Sequence, residues 1–263
     1  MSNIRVAGVF SYCANGSRFS RSLAAAFISV SLAGSLHADP EPATRPVHVR
    51  HVRFVPNVMS APSDLGTATS RGHVNDPNLA ASVVAPQANE GLTTQESPSL
   101  FWYTTKPTTA KIEIDLVKAD DLNDVKPLVK VVFHDPMIGG LQRLNLAKAG
   151  VKLQPNVRYK WSVSLIDPEG RSGDIISQAI IRRVPAPEKL ASSLAQTADA
   201  SDRTALYAEA GIWYDMLGGL CDAIDAHPGD AQLREERAAL LTQAGLPVLP
   251  KELKNWASGT APK

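Results

Sequence analysis

From Leu79 to Val184 the chain consists of short apolar runs in which hydrophobic and polar residues alternate. In Lys111-Ile112-Glu113-Ile114-Asp115-Leu116 the apolar residues take every second position, and Tyr159, Trp161, Val163 and Leu165 form one row against Lys160, Ser162 and Ser164. Successive side chains of a strand point to opposite faces, so this period of two marks strands with one buried face. Strands are expected at Leu79–Ala85, Leu100–Thr104, Lys111–Lys118, Val129–Phe133, Gln142–Leu146, Tyr159–Ile166 and Asp174–Val184. Asp135-Pro136, Gly139-Gly140 and Asp167-Pro168-Glu169-Gly170 supply turns between them. Many short strands at this spacing predict a two-sheet antiparallel β-sandwich over residues 79–184.

After Pro185 the period becomes helical. Pro187–Gln196 reads as a first helix, and Ser201 or Asp202 as the cap of a second that begins near Arg203. Trp213, Leu217, Leu220 and Ile224 then form an amphipathic stripe, broken by His227-Pro228-Gly229. Asp230 caps a last helix that ends at Gly245. The C-terminal region 185–263 is thus expected to hold a helical hairpin similar to a single tetratricopeptide-type unit, with no array of repeats. Gly218 and Gly219 inside the stripe each cost about 1 kcal/mol relative to Ala, so a close backbone contact or a bend is expected there.

Two further segments precede the strands. Arg5, Arg18 and Arg21 without any acid, the apolar run Leu23–Leu36, and Leu36-His37-Ala38 follow the order of a signal peptide cleaved after Ala38. The run has 14 residues, against the roughly 20 that a membrane span needs. Export to the periplasm or beyond, with no stable membrane span after cleavage, is the expectation. Cys13 leaves with that leader, so Cys221 is read as a lone, buried thiol. Residues 39–78 hold six prolines and one aromatic, Phe54, and are read as a mostly disordered linker with a short extended piece within Val47–Val55.

Gly91-Leu92-Thr93-Thr94-Gln95-Glu96-Ser97-Pro98-Ser99-Leu100-Phe101-Trp102-Tyr103, then Tyr159-Lys160-Trp161, Gly170-Arg171-Ser172-Gly173-Asp174 and Leu206-Tyr207-Ala208-Glu209-Ala210-Gly211-Ile212-Trp213-Tyr214-Asp215, are similar to successive blocks of a bacterial exported family catalogued as domain of unknown function 928. The resemblance runs from Leu79 to Leu246. It implies an envelope or secreted location, a sandwich followed by helices, and no assigned catalysis. Leu153-Gln154-Pro155-Asn156-Val157-Arg158-Tyr159 also resembles the strand opening of fibronectin type III domains. There a tyrosine ring packs on the core while its hydroxyl bonds to nearby backbone. The expected class is therefore α+β, an immunoglobulin- or fibronectin III-like sandwich followed by helices.

Motifs for chemistry are sparse. There is no phosphate loop and no His-Glu-x-x-His helix, so no cofactor or metal is expected. Gly170-Arg171-Ser172-Gly173-Asp174 departs from a nucleophile elbow in glycine spacing and in joining two strands. Arg171 and Asp174 are read as a hairpin brace or as charge offered to a partner. His48 and His51 lack an acid or thiol to complete a metal site, and Asp120-Asp121-Leu122-Asn123-Asp124 lacks the Gly and Glu of a calcium loop. Trp102, Tyr103, Tyr159, Trp161, Trp213 and Tyr214 are candidate structural or interaction positions. Adjacent strand residues face opposite ways, so Trp102 and Tyr103 cannot share one core, and one of them is expected beneath the helices.

The net charge of +1 excludes a strongly basic surface for nucleic acid. By segment it divides into +3 for the leader, zero for the linker, +2 for the sandwich and −4 for the helical end. These features together predict a noncatalytic interaction or assembly module whose partner is another envelope protein. A ligand-sensing periplasmic accessory protein is the alternative, marked by an open pocket beside Trp102 or Trp213. A cell-wall hydrolase would gather Asp167, Glu169 and Asp174 in a cleft.

Overall fold

Strict alternation sets the centre of the fold. In β5 (Lys111–Lys118) Ile112, Ile114 and Leu116 are fully buried, as are Tyr159, Trp161, Val163 and Leu165 in β8 (Arg158–Ile166). The two strands are antiparallel, with Ile114 opposite Val163 and Leu116 opposite Trp161, so both apolar rows share one face. β6 (Val129–Phe133) pairs with the far side of β5, and β9 (Ile175–Arg183) with the far side of β8. With β3 (Gly91–Thr93) they form a five-stranded sheet in the order β3-β9-β8-β5-β6. A second sheet has the order β1-β7-β4-β2, from β1 (Phe10–Tyr12), β7 (Gly140–Asn145), β4 (Ser99–Thr104) and β2 (Ala81–Val83). Trp102 of β4 packs on Phe133 of β6 with ring centroids 5.8 Å apart, so the two inner faces meet.

The computed structural model describes residues 10–12, 52–56, 79–86, 89–120, 126–166 and 175–243, with the backbone alone at 10–12, 175 and 176. All seven expected strands are present, but two more were not foreseen. β3 is three residues long and buried throughout, so no alternation marks it. It runs parallel to β9, which makes the five-stranded sheet mixed rather than wholly antiparallel. β1 falls within the segment read as a leader and pairs with β7, Phe10 opposite Leu144 and Tyr12 opposite Gln142. Before β8 the Tyr159 hydroxyl accepts a hydrogen bond from the Gln154 amide (3.0 Å), pinning the turn around Asn156, whose φ of 60° asparagine tolerates.

The helices are α1 (Glu188–Gln196), α2 (Ala200–Glu209), α3 (Trp213–Ala226) and α4 (Ala231–Gln243). The expected helix through Arg203 and Ile224 is broken in two. Gly211 adopts φ 71°, its amide bonds to Ala208 O (3.1 Å) and that of Ile212 to Tyr207 O (2.9 Å), the Schellman pattern that ends a helix. Asp199, not Ser201 or Asp202, caps α2, its Oδ1 accepting from the amides of Ser201 (2.9 Å) and Asp202 (3.1 Å). A cap serves amides two and three places ahead, so it must precede the first turn. Asp230 caps α4 through the amides of Gln232 and Leu233, as its place after Pro-Gly suggests. At Gly219 a Cβ would sit 3.2 Å from the Thr204 hydroxyl of α2, which accounts for that glycine. Nothing in the structure explains Gly218, where a Cβ would meet open space.

One core joins both sheets to α2, α3 and α4, across the 184/185 boundary that the change of period suggests. A smaller cluster of Leu92, Leu190 and Ile212 seats α1. The extended piece expected within Val47–Val55 is described at 52–56, and it is docked, with Val52 and Phe54 in the main core. None of the described helices is long and apolar enough to cross a membrane.

Candidate functional site

The start of α3 is driven into the sheets. α3 lies against β3 and β4, and three consecutive side chains at its first turn each reach a different partner. Trp213 donates its Nε1–H to Val84 O (3.1 Å). The Tyr214 hydroxyl accepts from Trp161 Nε1 (2.8 Å), and complete burial pushes that hydroxyl's pKa up. Asp215, 1% exposed, accepts from the Thr93 hydroxyl on one oxygen and from the Thr94 amide (2.9 Å) and hydroxyl on the other. Burial raises its carboxyl pKa, while the threonine hydrogen bonds pull it back down. A carboxylate in the first turn of a helix is also favoured by the helix dipole. Gly91 is required for this approach, because a Cβ there would collide with the Tyr214 ring.

One residue before Gly91, the fully buried carboxylate of Glu90 pairs with Arg158 of β8 and, at 2.8 Å without hydrogen-bond alignment, with Arg182 of β9. Arg158 also reaches Asp120 (3.1 Å). β3 is therefore held from both sides, by cations across the sheet and by the α3 turn above it.

On its other flank α3 borders a cavity of about 530 Å3 between α2, α3 and the start of α4. Asp199, Asp215, Asp222 and Asp230 line it, with Arg203 and His227 as the basic side chains. Arg203 spends Nη1 on the carbonyls of Leu194 (2.7 Å) and Thr197 (3.1 Å). Asp222, 66% exposed, pairs with Arg143 of β7 (2.5 Å). The apolar part of the wall includes Tyr207, Ala223 and Leu233. A concavity of this size, with more carboxylates than cations and an apolar floor, suits a positively charged group on an aliphatic stem. Among the described residues no group of three His, Cys, Asp or Glu side chains is placed to hold a metal ion.

Residues 66–253 match the family described as Domain of Unknown Function (DUF928). The chain is a DUF928 protein. The match takes in β2 to β9 and all four helices, and it leaves the docked segment 52–56 outside. No curated protein matches the chain. Among solved structures, the crystal structure of the periplasmic chaperone SfaE is similar over 41% of this chain and 58% of that one, with 11% identity and a TM-score of 0.26. A likeness at that score decides neither the details of the fold nor the function.

In this DUF928 chain, Trp102, Tyr103, Tyr159, Trp161, Trp213 and Tyr214 are all buried. Trp102 faces the opposite sheet. Tyr103 lies on the other side of β4, in line with Phe101, whose register partner Arg143 reaches Asp222 of α3. Tyr214, Trp161 and Trp213 meet at the α3 junction, and the ring of Phe54 stands edge-on to Trp213 (5.1 Å, 77°). Trp102 and Trp213 are fully buried, and neither lines the cavity among the helices. Arg171, Asp174, Ser172, Asp167 and Glu169 lie outside the described residues, as do His48 and His51. Cys221 is buried and disulfide-bonded, which corrects its reading as a lone thiol; the sequence has one other cysteine, Cys13. Gly91, Thr93, Thr94 and Asp215 lie within the first and last family-like blocks, but no local pattern marks them as partners. Their signal was the distance between two polar-aromatic blocks that only a folded chain brings together.

Proposed function

We propose that this DUF928 protein is an exported, noncatalytic interaction module of the bacterial envelope. In this reading the sheets form an immunoglobulin- or fibronectin III-like sandwich, α3 and α4 act as a single tetratricopeptide-like hairpin, and the leader is removed after Ala38. One observation carries it. Trp161, Trp213, Tyr214 and Asp215 are committed to joining sheets and helices, while the acid-lined cavity stays open on the helical layer. The −4 charge of residues 185–263 fits a basic segment of a partner protein. The test is affinity capture by the mature protein from envelope extracts: an envelope protein retained above control, and lost as salt is raised, is the expected result. Retention of nothing above control overturns the reading. The intact mass of the exported product checks processing: Asp39–Lys263 is the expected product, and a product that retains residues 1–38 removes leader cleavage from the reading.

The cavity supports a second reading, sensing of a small cationic ligand in the same place. Binding of a diamine by the purified protein, together with failure to capture any protein, would favour it over the first.

A further inference from the structure

Segment 52–56 is bound as a peptide ligand is bound. Val52 and Phe54 are buried at 8% and 5% exposure while Arg53 and Val55 face solvent, the period of two of an extended chain lying on a surface. The Phe54 ring stands on Trp213. The backbone is read as well. The Val55 amide donates to Ala208 O (3.0 Å) at the end of α2. The side-chain amide of Gln243, at the end of α4, accepts from the Phe54 amide through Oε1 (3.0 Å) and donates through Nε2 to Val52 O (3.4 Å). Gln243 thus offers one acceptor and one donor to alternate backbone groups, as a peptide unit of a neighbouring strand does. Main-chain bonds combined with sites for alternate side chains are the usual means of recognising an extended peptide.

The segment is also separable. It lies outside residues 66–253, and 57–78 intervene before β2, a stretch that spans up to about 70 Å when extended. The geometry points to a peptide-recognition groove formed by Trp213, the end of α2 and Gln243, with 52–56 as its resident occupant. An extended segment of a partner protein, with an aliphatic residue and a phenylalanine two places on, takes the occupant's place. This rests on the interaction-module reading and names the site and the chemistry of the partner. The tether gives the resident an effective concentration on the order of mM, so the groove is self-covered until a stronger or more abundant segment arrives.

The probe is a fluorescein-labelled peptide of residues 50–57, followed by anisotropy against the full chain and against a Val52→Ala/Phe54→Ala variant whose fold is checked by circular dichroism. Saturable binding to the variant, about tenfold tighter than to the parent chain because the groove is vacated, is the expected result. Adding Gln243→Ala, or replacing Phe54 in the peptide, should weaken it by about tenfold. A folded variant that does not bind, or equal binding to variant and parent, overturns the proposal. Should the double variant not fold, protease sites placed on both sides of the segment in the full chain, within 39–50 and within 57–78, replace it, so that the cut piece is not held by the pairing of β1 with β7. Release of the cut segment and its exchange for labelled peptide supports the groove, and a cut segment that stays without exchange refutes it. Peptide binding without any envelope capture would leave the groove standing and remove the envelope-partner reading; capture without peptide binding would do the reverse.

Discussion

The two flanks of α3 treat polar groups in opposite ways. Towards the sheets, Trp213, Tyr214 and Asp215 are all but fully buried, and each polar side-chain group has a hydrogen-bond partner. Towards α2 and α4, Asp199 and Asp230 serve as caps and Asp222 as a brace around an open cavity. A buried polar group left unpaired costs more than a pair contributes, so the first flank tolerates no change of partner and the second does. The difference separates residues that make the fold from residues free to meet something else.

The largest expected effect is at the sheet flank. Trp213→Ala should destabilise the protein by about 3–5 kcal/mol in urea unfolding, since it removes a large buried ring together with its bond to Val84 and its contact with Phe54. Asp215→Ala, which leaves three donors of Thr93 and Thr94 without an acceptor, should cost about 3 kcal/mol, with Asp215→Asn recovering part of it. Near-neutral results for both would erase the distinction between the flanks. Gly218→Ala should add about 1 kcal/mol, because the helix loses a glycine and the new methyl meets open space. Asp222→Asn removes an exposed ion pair and should change stability by less than about 1 kcal/mol, yet reduce partner capture at low salt.

A smaller effect concerns pH. Burial raises the Glu236 carboxyl to about 7 and Asp115 to about 6, with Asp230 and Glu113 as the respective like-charged neighbours. A carboxyl whose folded pKa exceeds its unfolded value contributes stability below the unfolded pKa and loses it as pH rises through the folded one. These two groups therefore weaken the fold progressively between about pH 4 and 7. Glu236→Gln should flatten that slope in thermal melts across this window, and an unchanged slope would show that other groups set it.

Much of this was legible in the chain, and what was not has physical reasons. β5 and β8 announce themselves because one face is buried and the other is wet, and Tyr159 is pinned as its Leu-x-Pro-x-x-x-Tyr setting implies. β3 is silent, since three residues buried on every side carry no period. The break between α2 and α3 was written in Gly211, but the apolar stripe on either side of it runs on in phase and masks the stop. Segment 52–56 reads as linker by composition, and its docking depends on Trp213 and Gln243, far away in sequence. At the site, burial of the aromatics was foreseeable, whereas the cavity depends on how three helices meet, which no local pattern encodes.

The parallel pairing of β3 with β9 has a consequence for the order of events in folding. Every group that holds β3 comes later in the chain, from Arg158 and Arg182 to Tyr214 and Asp215. A chain emerging from its N-terminus therefore carries this strand unpaired until about ninety further residues, as far as Ile181 opposite Gly91, have followed it. Contacts of such long sequence separation are slow to close. The five-stranded sheet can be completed only once β9 has been made, and β3 is locked only when the first turn of α3 arrives; the last third of the protein sets the time at which the whole becomes native.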